Sequence, residues 1–579
     1  MIDEPGISRK PATAHATAMP WLRSQAPGVD WHAPIDMRPL PERFRETAAR
    51  FATHPCLEFL GKSFSYAEVA ALVDRASKGL RELGVGPGTR FGLYLPNTPY
   101  YVVLYYAALA TGATVVNFNP LYAKEEVLWQ IQDSGTTILA TLDVDVLWSK
   151  VTPAIADGRL KKVVLCKMAG VLPFPKNVLF PLLKHKDLAK VERSASVIAF
   201  ERLVANDGRQ EPVAIDPASP ALFQYTGGTT GVPKAAVLSH RAIAANASQV
   251  RMLMPTLALG AERFLGVLPL CHVFAMTAVM NIAMTTGSQI ILLPRFELDQ
   301  LLTTIDRLRP TIFPGVPAIY GAINHAKKVG RYELRSLKFC ISGGAPLPVE
   351  VKRRFETLTA CRLVEGYGLS EASPVAICNP LLAPGKDGSI GVPLPGTQVE
   401  IRSLEDPRVP VALGEQGEIC VQGPQLMDGY WQKPEETAQV LVDGWLRTGD
   451  VARMDEDGYV FVVERIKDVI FRGGYNVYPR MIEEAIYAHP DVAEACVVGI
   501  DDDIKGQVPK AYVRLREGAS LDAATLRSFL VDRLSKLEMP RDFEFRSEPL
   551  PKTRIGKPSK LTLRQEEAAR HQREREKRA

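Results

Sequence analysis

Two long stretches of the 579-residue chain carry no Asp, Glu, Lys or Arg, Phe91 to Ala123 and Phe264 to Pro294, and what interrupts them decides the fold. Each is long enough to cross a bilayer as a helix. The first, however, reads FGLYL, PNTPYYVVLYYAALATGA and TVVNFNP, with Pro96, Gly112 and Asn117 where turns belong. That is a buried strand, a helix and a second buried strand. The second reads FLGVLPL, a loop around Cys271 and His272, a helix, and SQIILLP. With KGLRELGVGPGTRFGLYLPN and TTILATLD repeating the theme, the alternation predicts layered α/β structure with largely parallel strands, and membrane spans are rejected.

A chain this long exceeds what one hydrophobic core supports, so more than one domain is expected. The start, MIDEPGISRKPATAHATAMP, has no periodicity, and residues 1–30 are expected to form a loose arm. Residues 31–466 form a large N-terminal domain whose texture changes near Ile401. There TQVEIRS, GEICVQG and DGYVFVV read as short alternating strands of a small β subdomain. Residues 467–579 form a small α+β domain. Its helix opens at Pro479, its strands are EACVVGI and KAYVRLR, and a helix from Asp522 places Leu526, Phe529 and Leu530 on one face. The boundary falls near Arg465 to Lys467.

A net charge of +5 with interspersed signs argues against a nucleic-acid protein. The final run, RQEEAARHQREREKRA, mixes signs and reads as a solvated helix or frayed tail rather than a binding arm. Eight scattered cysteines lack any C-x-x-C pair, and no secretory leader is visible at Met1, so reduced thiols in a cytoplasmic protein are expected.

Chemistry concentrates first in YTGGTTGVPK, residues 225 to 234. Glycines let backbone N–H groups converge on an anion, and threonines add donors, so the loop reads as a phosphate cradle or, alone, as a Gly/Thr-rich turn. It is not the nucleotide loop of motor ATPases, since Val232 and Pro233 separate Gly231 from Lys234. Downstream follow SGGAPLP at 342, EGYGLSEASP at 365, DGWLRTGD at 443, ERIKDVIFRGGYNVYP at 464 and PKTRIGKPSK at 551.

With YTGGTTGVPK and LPLCHVFAMT, this ordered series resembles the motifs of the adenylate-forming family, which includes acyl-CoA synthetases, peptide-synthetase adenylation domains and luciferases. The resemblance spans roughly Trp31 to Lys560. It implies ATP, Mg²⁺ and coenzyme A as cofactors. A carboxylate oxygen attacks the α-phosphate of ATP to give acyl-AMP and pyrophosphate, and a thiol then displaces AMP. The cradle of Thr226, Gly227, Gly228, Thr229, Thr230, Gly231 and Lys234 would hold the β- and γ-phosphates. Glu371 is the implied Mg²⁺ ligand, with the Thr226 hydroxyl as a second contact. One carboxylate plus phosphate oxygens suits that ion. Ser370 stands where the family usually has Thr, retaining the hydroxyl.

By the same resemblance Tyr367 lies against adenine, the backbone around Gly344 and Ala345 lines its other side, and Glu365, Gly366 and Gly368 belong to the same nucleotide-binding motif. Asp450 accepts hydrogen bonds from the ribose hydroxyls at the end of a turn in RTGD, and Arg465 reaches the ribose or the phosphates. Lys557 is the implied catalytic lysine, neutralising charge at the α-phosphate and the acid. Lys560 sits where arginine is frequent. His272 stands near the entering carboxylate. Taken without the motifs, Tyr367 and His272 would read as core residues. Lys467 is the implied hinge of a mobile C-terminal domain, and Gly473 and Gly474 let the backbone approach the pantetheine arm.

The texture is most similar to bacterial medium- to long-chain fatty acyl-CoA synthetases. A dicarboxylic or ring-bearing acid, or a carrier protein in place of coenzyme A, is compatible with the same motifs. The segment MAGVLPFPKNVLFPLLKHKDLAKV, from Met168, mixes apolar residues with Lys176, Lys184, Lys186 and Lys190. It reads either as a peripheral membrane-surface contact or as a packed connector with a solvated face. Oligomeric state is open, a homodimer being one arrangement.

Overall fold

The computed structural model describes residues 19–192, 194–226, 233–472, 475–502, 506–552 and 558–578. The first uncharged stretch becomes strand Arg90–Tyr94, helix Pro99–Ala110 and strand Thr114–Asn117. That helix is buried along its whole length, which is why it is apolar all round. Among the described residues no helix is long and apolar enough to cross a membrane.

The described strands form two large sheets and two small ones. In the eight-stranded sheet, strands Thr114–Asn117, Arg90–Tyr94, Ile138–Leu142, Lys162–Cys166 and Val197–Ala199 run parallel. An antiparallel pair, Pro220–Thr226 and Lys234–Ser239, extends it, and short strand Gly429–Tyr430 closes that edge. The nine-stranded sheet is parallel from Arg362–Gly368 through Phe339–Ser342, Ile312–Gly315, Arg263–Gly266 and Gln289–Leu292 to Pro55–Phe59, with antiparallel strands at both ends. Helix His240–Met252 packs on the first sheet and against segment Met276–Asn281, which packs on the second. The two sheets thus share one helical layer. All eight cysteines are buried free thiols.

The small β subdomain is a five-stranded antiparallel sheet built from Gln398–Arg402, Gln416–Gln422, Leu441–Val442, Trp445–Met454 and Val460–Arg465. The C-terminal unit has its own sheet; helix Pro479–Tyr487 lies on it, helix Ala523–Leu530 packs beside the first and joins the same core, and helix Lys560–Arg578 also lies on the sheet. Asp522 caps the second helix through the Thr525 N–H at 2.8 Å. The apolar core of the large part runs to Val460 and that of the C-terminal unit begins at Ile470. Between them the contacts are polar. Glu464 accepts the Arg480 N–H at 2.8 Å and pairs with Lys560 at 3.1 Å, and Arg516 meets His325 at 3.2 Å.

Three expectations change. Part of the segment expected as a loose arm is packed: Pro20–Ser24 forms a short helix with Trp21 buried, and Ser24 donates to the Asp457 carbonyl at 2.8 Å. The chain fits because Gly458, at φ +80°, has no Cβ to strike the Trp21 backbone. The RTGD turn is a bulge inside strand Trp445–Met454, where pairing with Gln416–Gln422 slips in register. The charged tail begins as a docked helix. Leu563 is fully buried, and Glu567 accepts from Lys510 at 2.7 Å and from Tyr512 at 2.6 Å, so several of its charges are neutralised on the sheet beneath.

Candidate active site

Open α/β sheets bind ligands in the crevice beyond the carboxyl ends of their parallel strands. Strands Phe339–Ser342 and Arg362–Gly368 are in register, Ser342 opposite Glu365, and deliver Gly344, Ala345 and the turn at Ser370–Ala372 to one such edge. Gly344 takes φ +78°, a conformation that favours glycine. At Gly368 a Cβ would lie 2.0 Å from the Pro374 carbonyl oxygen, so only glycine lets the chain fold back here. The folded-back loop is clamped from the shared helical layer. Thr277 donates to the Ser373 carbonyl at 2.9 Å, and Asn246 exchanges bonds of 2.7 and 3.0 Å with the Val375 backbone. Glu371 rides on this clamped loop.

Two side-chain chains radiate from it. The Tyr367 hydroxyl donates to Asp450 Oδ2 at 2.6 Å, and Arg465 Nε pairs with Asp450 Oδ1 at 2.9 Å. Asp450 and Arg465 face each other across neighbouring strands, and the bulge at Thr448 to Asp450 turns the carboxylate inward. Burial and the Asp450 charge push the Tyr367 phenol well up, so it stays a donor. The Asp450 charge, despite burial, holds the Arg465 guanidinium above its ordinary range. One chain therefore joins the nine-stranded sheet to the small β sheet.

The second joins it to the eight-stranded sheet. Glu371 Oε1 accepts the Tyr430 hydroxyl at 2.7 Å, and Lys234 Nζ lies 5.2 Å from the centre of the Tyr430 ring, a cation–π contact. Burial and the adjacent Glu371 raise the Tyr430 phenol, which keeps its proton. Thr226 and Lys234 pair at the end of their hairpin, the Thr226 hydroxyl donating to the Lys234 carbonyl at 3.3 Å. Sequence reasoning missed Tyr430. DGYWQKP carries no chemical signature, and its role arises from pairing of Tyr430 with Ala236. Gly227, Gly228, Thr229, Thr230, Gly231, Gly473, Gly474 and Lys557 lie outside the described residues.

His272 precedes the short helix Val273–Ala275, and its Nδ1 accepts the Phe274 N–H at 3.3 Å, which leaves the ring proton on Nε2. The loop before it is held by Asn97, whose side chain donates to the Gly266 and Leu268 carbonyls at 3.2 and 2.8 Å and accepts from Leu270 N–H at 2.8 Å. Lys467 lies in the turn Ile466–Asp468, between the last core residue of the large part and the first of the C-terminal unit.

Glu365 and Tyr367, two apart on a strand, share one face. The Glu365 carboxyl lines a cavity of about 200 Å³ with Lys352, Glu356, Arg362, Asn379 and Asp387. Burial pushes its pKa up from 4.5 to about 7. The folded state therefore holds a proton that the unfolded chain gives up above pH 4.5, so stability should fall as pH rises from about 4.5 to 7, by up to roughly 3 kcal/mol. Urea unfolding of wild type and Glu365→Gln across this range checks it. The variant's curve is expected to be flatter, and parallel curves would place the titrating group elsewhere.

A carboxylate on a clamped loop, a lysine at the mouth of a Gly/Thr-rich hairpin and a buried Asp450 paired with the half-exposed Arg465 form a set of groups suited to a nucleoside triphosphate. Glu371 supplies a single carboxylate, enough for Mg²⁺ when phosphate oxygens complete its shell.

A sequence profile of the AMP-binding enzyme family matches residues 44–431, and the profile of its C-terminal domain matches residues 481–557. The chain belongs to the AMP-binding enzyme family. The long-chain-fatty-acid–CoA ligase of Bacillus subtilis is 40% identical over 557 residues, covering 95% of this chain and 99% of that protein. The 4-coumarate–CoA ligase 2 of Oryza sativa subsp. japonica is 32% identical, covering 98% of each. Among solved structures, ATP-bound MatB from Rhodopseudomonas palustris superposes with a TM-score of 0.79 at 26% identity, covering 91% of this chain and 98% of that one.

Proposed function

We propose that the protein is an acyl-CoA synthetase that joins a medium- or long-chain fatty acid to coenzyme A through an acyl-AMP intermediate. In the first step a carboxylate oxygen bonds to the α-phosphorus of ATP, the bond to the β-phosphate breaks, and pyrophosphate leaves. In the second the thiol of coenzyme A attacks the acyl carbonyl, the carbon–oxygen bond breaks, AMP leaves, and the thiol proton passes to solvent. The observation that carries this reading is near full-length similarity to a fatty-acid ligase, together with Glu371, Asp450 and Lys234 brought to one crevice by three sheets.

In this reading Asp450 and Arg465 bind the ribose, and Tyr367, Gly344 and Ala345 line the adenine site. Thr226 through Lys234 hold the leaving phosphates. Glu371 and Thr226 would hold Mg²⁺, which when bound withdraws charge from the phosphate oxygens. Lys557 stabilises the adenylation transition state, and His272 orients the acid. The C-terminal unit pivots at Lys467 between the two steps, bringing Gly473 and Gly474 to the pantetheine arm. The separate cores and polar seam support a unit that can turn. The enzyme works in the cytoplasm, with peripheral contact at a membrane surface.

A ring-bearing acid is the second reading, supported by the 4-coumarate ligase at 32% identity; the higher 40% identity of the bacterial fatty-acid enzyme favours the aliphatic acid. Pyrophosphate release with saturated acids of increasing length, 4-coumarate and a dicarboxylic acid decides between them. A medium- or long-chain acid should lead in kcat/KM by at least about tenfold, the order expected when several methylenes enter an apolar pocket. A lead for 4-coumarate would replace this reading with the second.

Tyr430 is assigned as a positioning residue that orients Glu371. Tyr430→Phe keeps the ring under Lys234 and deletes only the hydroxyl. The adenylation rate should fall roughly tenfold and the half-saturating Mg²⁺ concentration should rise, as is usual when an outer hydrogen bond to a metal ligand is lost. An unchanged Mg²⁺ titration would reduce Tyr430 to a packing residue.

A further inference from the structure

Between strands Lys162–Cys166 and Val197–Ala199 the chain leaves the eight-stranded sheet on a long excursion. Asp143 fastens both of its roots. The carboxylate accepts the Met168 N–H at 2.8 Å, and the backbone carbonyl accepts the Ala189 N–H at 2.9 Å. Lys176 adds a strut, donating to the Leu60 carbonyl at 2.9 Å. Helix Lys176–Leu183 has no fully buried residue; Phe180 packs inward against the main core, while the outer apolar side chains face solvent, Leu182 67% and Leu183 75% exposed with Val178 and Leu179 beside them, and Phe174, just ahead of the helix, 82% exposed.

Five large apolar side chains exposed within ten residues are not the scatter of a normal surface. The charge around them is predominantly positive. Lys176, Lys184, Lys186 and Lys190 stand against a single acid between Phe174 and Lys190, Asp187, whose exposed pair with Lys184 at 3.3 Å leaves a net positive surface. Val178 and Leu182, with Phe174 just ahead of the helix, follow the four-residue spacing that aligns side chains on one helical face, and Leu179 and Leu183 lie next to them. Apolar residues that can enter an acyl layer, beside lysines that can reach its headgroups, are the two signals that stable surface anchoring takes.

We propose that segment Phe174–Lys190 docks the protein on an anionic lipid bilayer, with Phe174, Val178, Leu182 and Leu183 entering the acyl boundary and Lys184, Lys186 and Lys190 meeting the headgroups. This specifies the membrane contact of the preceding section and rests on that reading. The excursion lies at the carboxyl ends of the parallel strands, the edge from which Asn97 holds the His272 loop, so docking sets the acid-binding edge toward the layer that holds lipid substrate.

Flotation of the full-length protein with vesicles tests this without any substrate, so absence of ligase activity would leave the result readable. Binding to phosphatidylcholine mixed with phosphatidylglycerol should exceed binding to phosphatidylcholine alone by about tenfold or more at low salt. Lys184→Glu/Lys186→Glu should lose at least roughly tenfold, each lysine near such a surface being worth about fivefold. Leu182→Glu/Leu183→Glu should abolish flotation while circular dichroism and pyrophosphate release with a water-soluble short-chain acid stay at wild-type levels. Equal binding to both vesicle types, or wild-type flotation by the leucine variant, overturns the proposal. So does a wild-type dimer in sedimentation velocity that this variant converts to monomer without loss of flotation, since the face would then belong to a second copy.

Discussion

Replacing Lys557 by alanine is expected to slow acyl-AMP formation by roughly 100-fold or more while leaving conversion of supplied acyl-AMP to thioester largely intact. That is the usual scale for deleting one charged contact from a transition state held in a dry site. The asymmetry follows from the assigned role, since a lysine at the α-phosphate helps only while that phosphorus is being attacked. The described residues on either side of it are held by ion pairs. Lys552 bridges back to Pro558 and pairs with Glu494 at 2.7 Å, and Lys560 pairs with Glu464, the residue before Arg465. Glu483 and Glu464 hold the buried Lys560 charged although burial alone would lower its pKa. Single-turnover assays of each half-reaction decide the point, and equal losses in both halves would remove the role assigned to Lys557.

Asp450→Ala is expected to raise the Michaelis constant for ATP at least tenfold, and to do so in a folded protein. The alanine leaves the Tyr367 hydroxyl without its 2.6 Å acceptor and the Arg465 guanidinium without its 2.9 Å partner. Losing a charged acceptor of hydrogen bonds costs on the order of 1.5–3 kcal/mol, which is roughly ten- to a hundredfold in affinity. Arg465 is half exposed and can turn to water, so stability should suffer less than binding. Asp450→Asn, which restores one acceptor, should recover part of the ATP affinity. An unchanged Michaelis constant with normal turnover would take Asp450 out of the nucleotide site.

The alternation of apolar strands and helices was legible because a strand buried on both faces leaves no room for charge, and the parallel centres of both large sheets follow from it. Glu371, Tyr367 and Asp450 were singled out only through the ordered motif series, since a lone loop carboxylate reads as solvated and a tyrosine between glycines reads as core. What stayed hidden depends on long-range pairing. Tyr430 acquires its role only when Gly429–Tyr430 adds to a strand nearly two hundred residues earlier in the chain. Asn246 and Thr277 read as ordinary helix residues and prove to be the clamps on the Glu371 loop. The wide π-type turn over Met276–Asn281 breaks the usual helical spacing and leaves no mark in composition. RTGD looked like a turn because glycine precedes the aspartate; cross-strand hydrogen bonds made it a bulge instead.

Acyl-AMP chemistry makes one demand that no other route to a thioester shares: an oxygen of the acid must leave with AMP. A long-chain fatty acid labelled with ¹⁸O in its carboxylate, incubated with ATP, Mg²⁺, coenzyme A and the protein, should yield AMP carrying one ¹⁸O atom for each thioester formed, with pyrophosphate unlabelled, as mass spectrometry of the products would show. Label in inorganic phosphate, with ADP as the nucleotide product, would mean that the acid attacks the γ-phosphate, and would contradict the assignment of the crevice around Glu371 and Asp450 to adenylation.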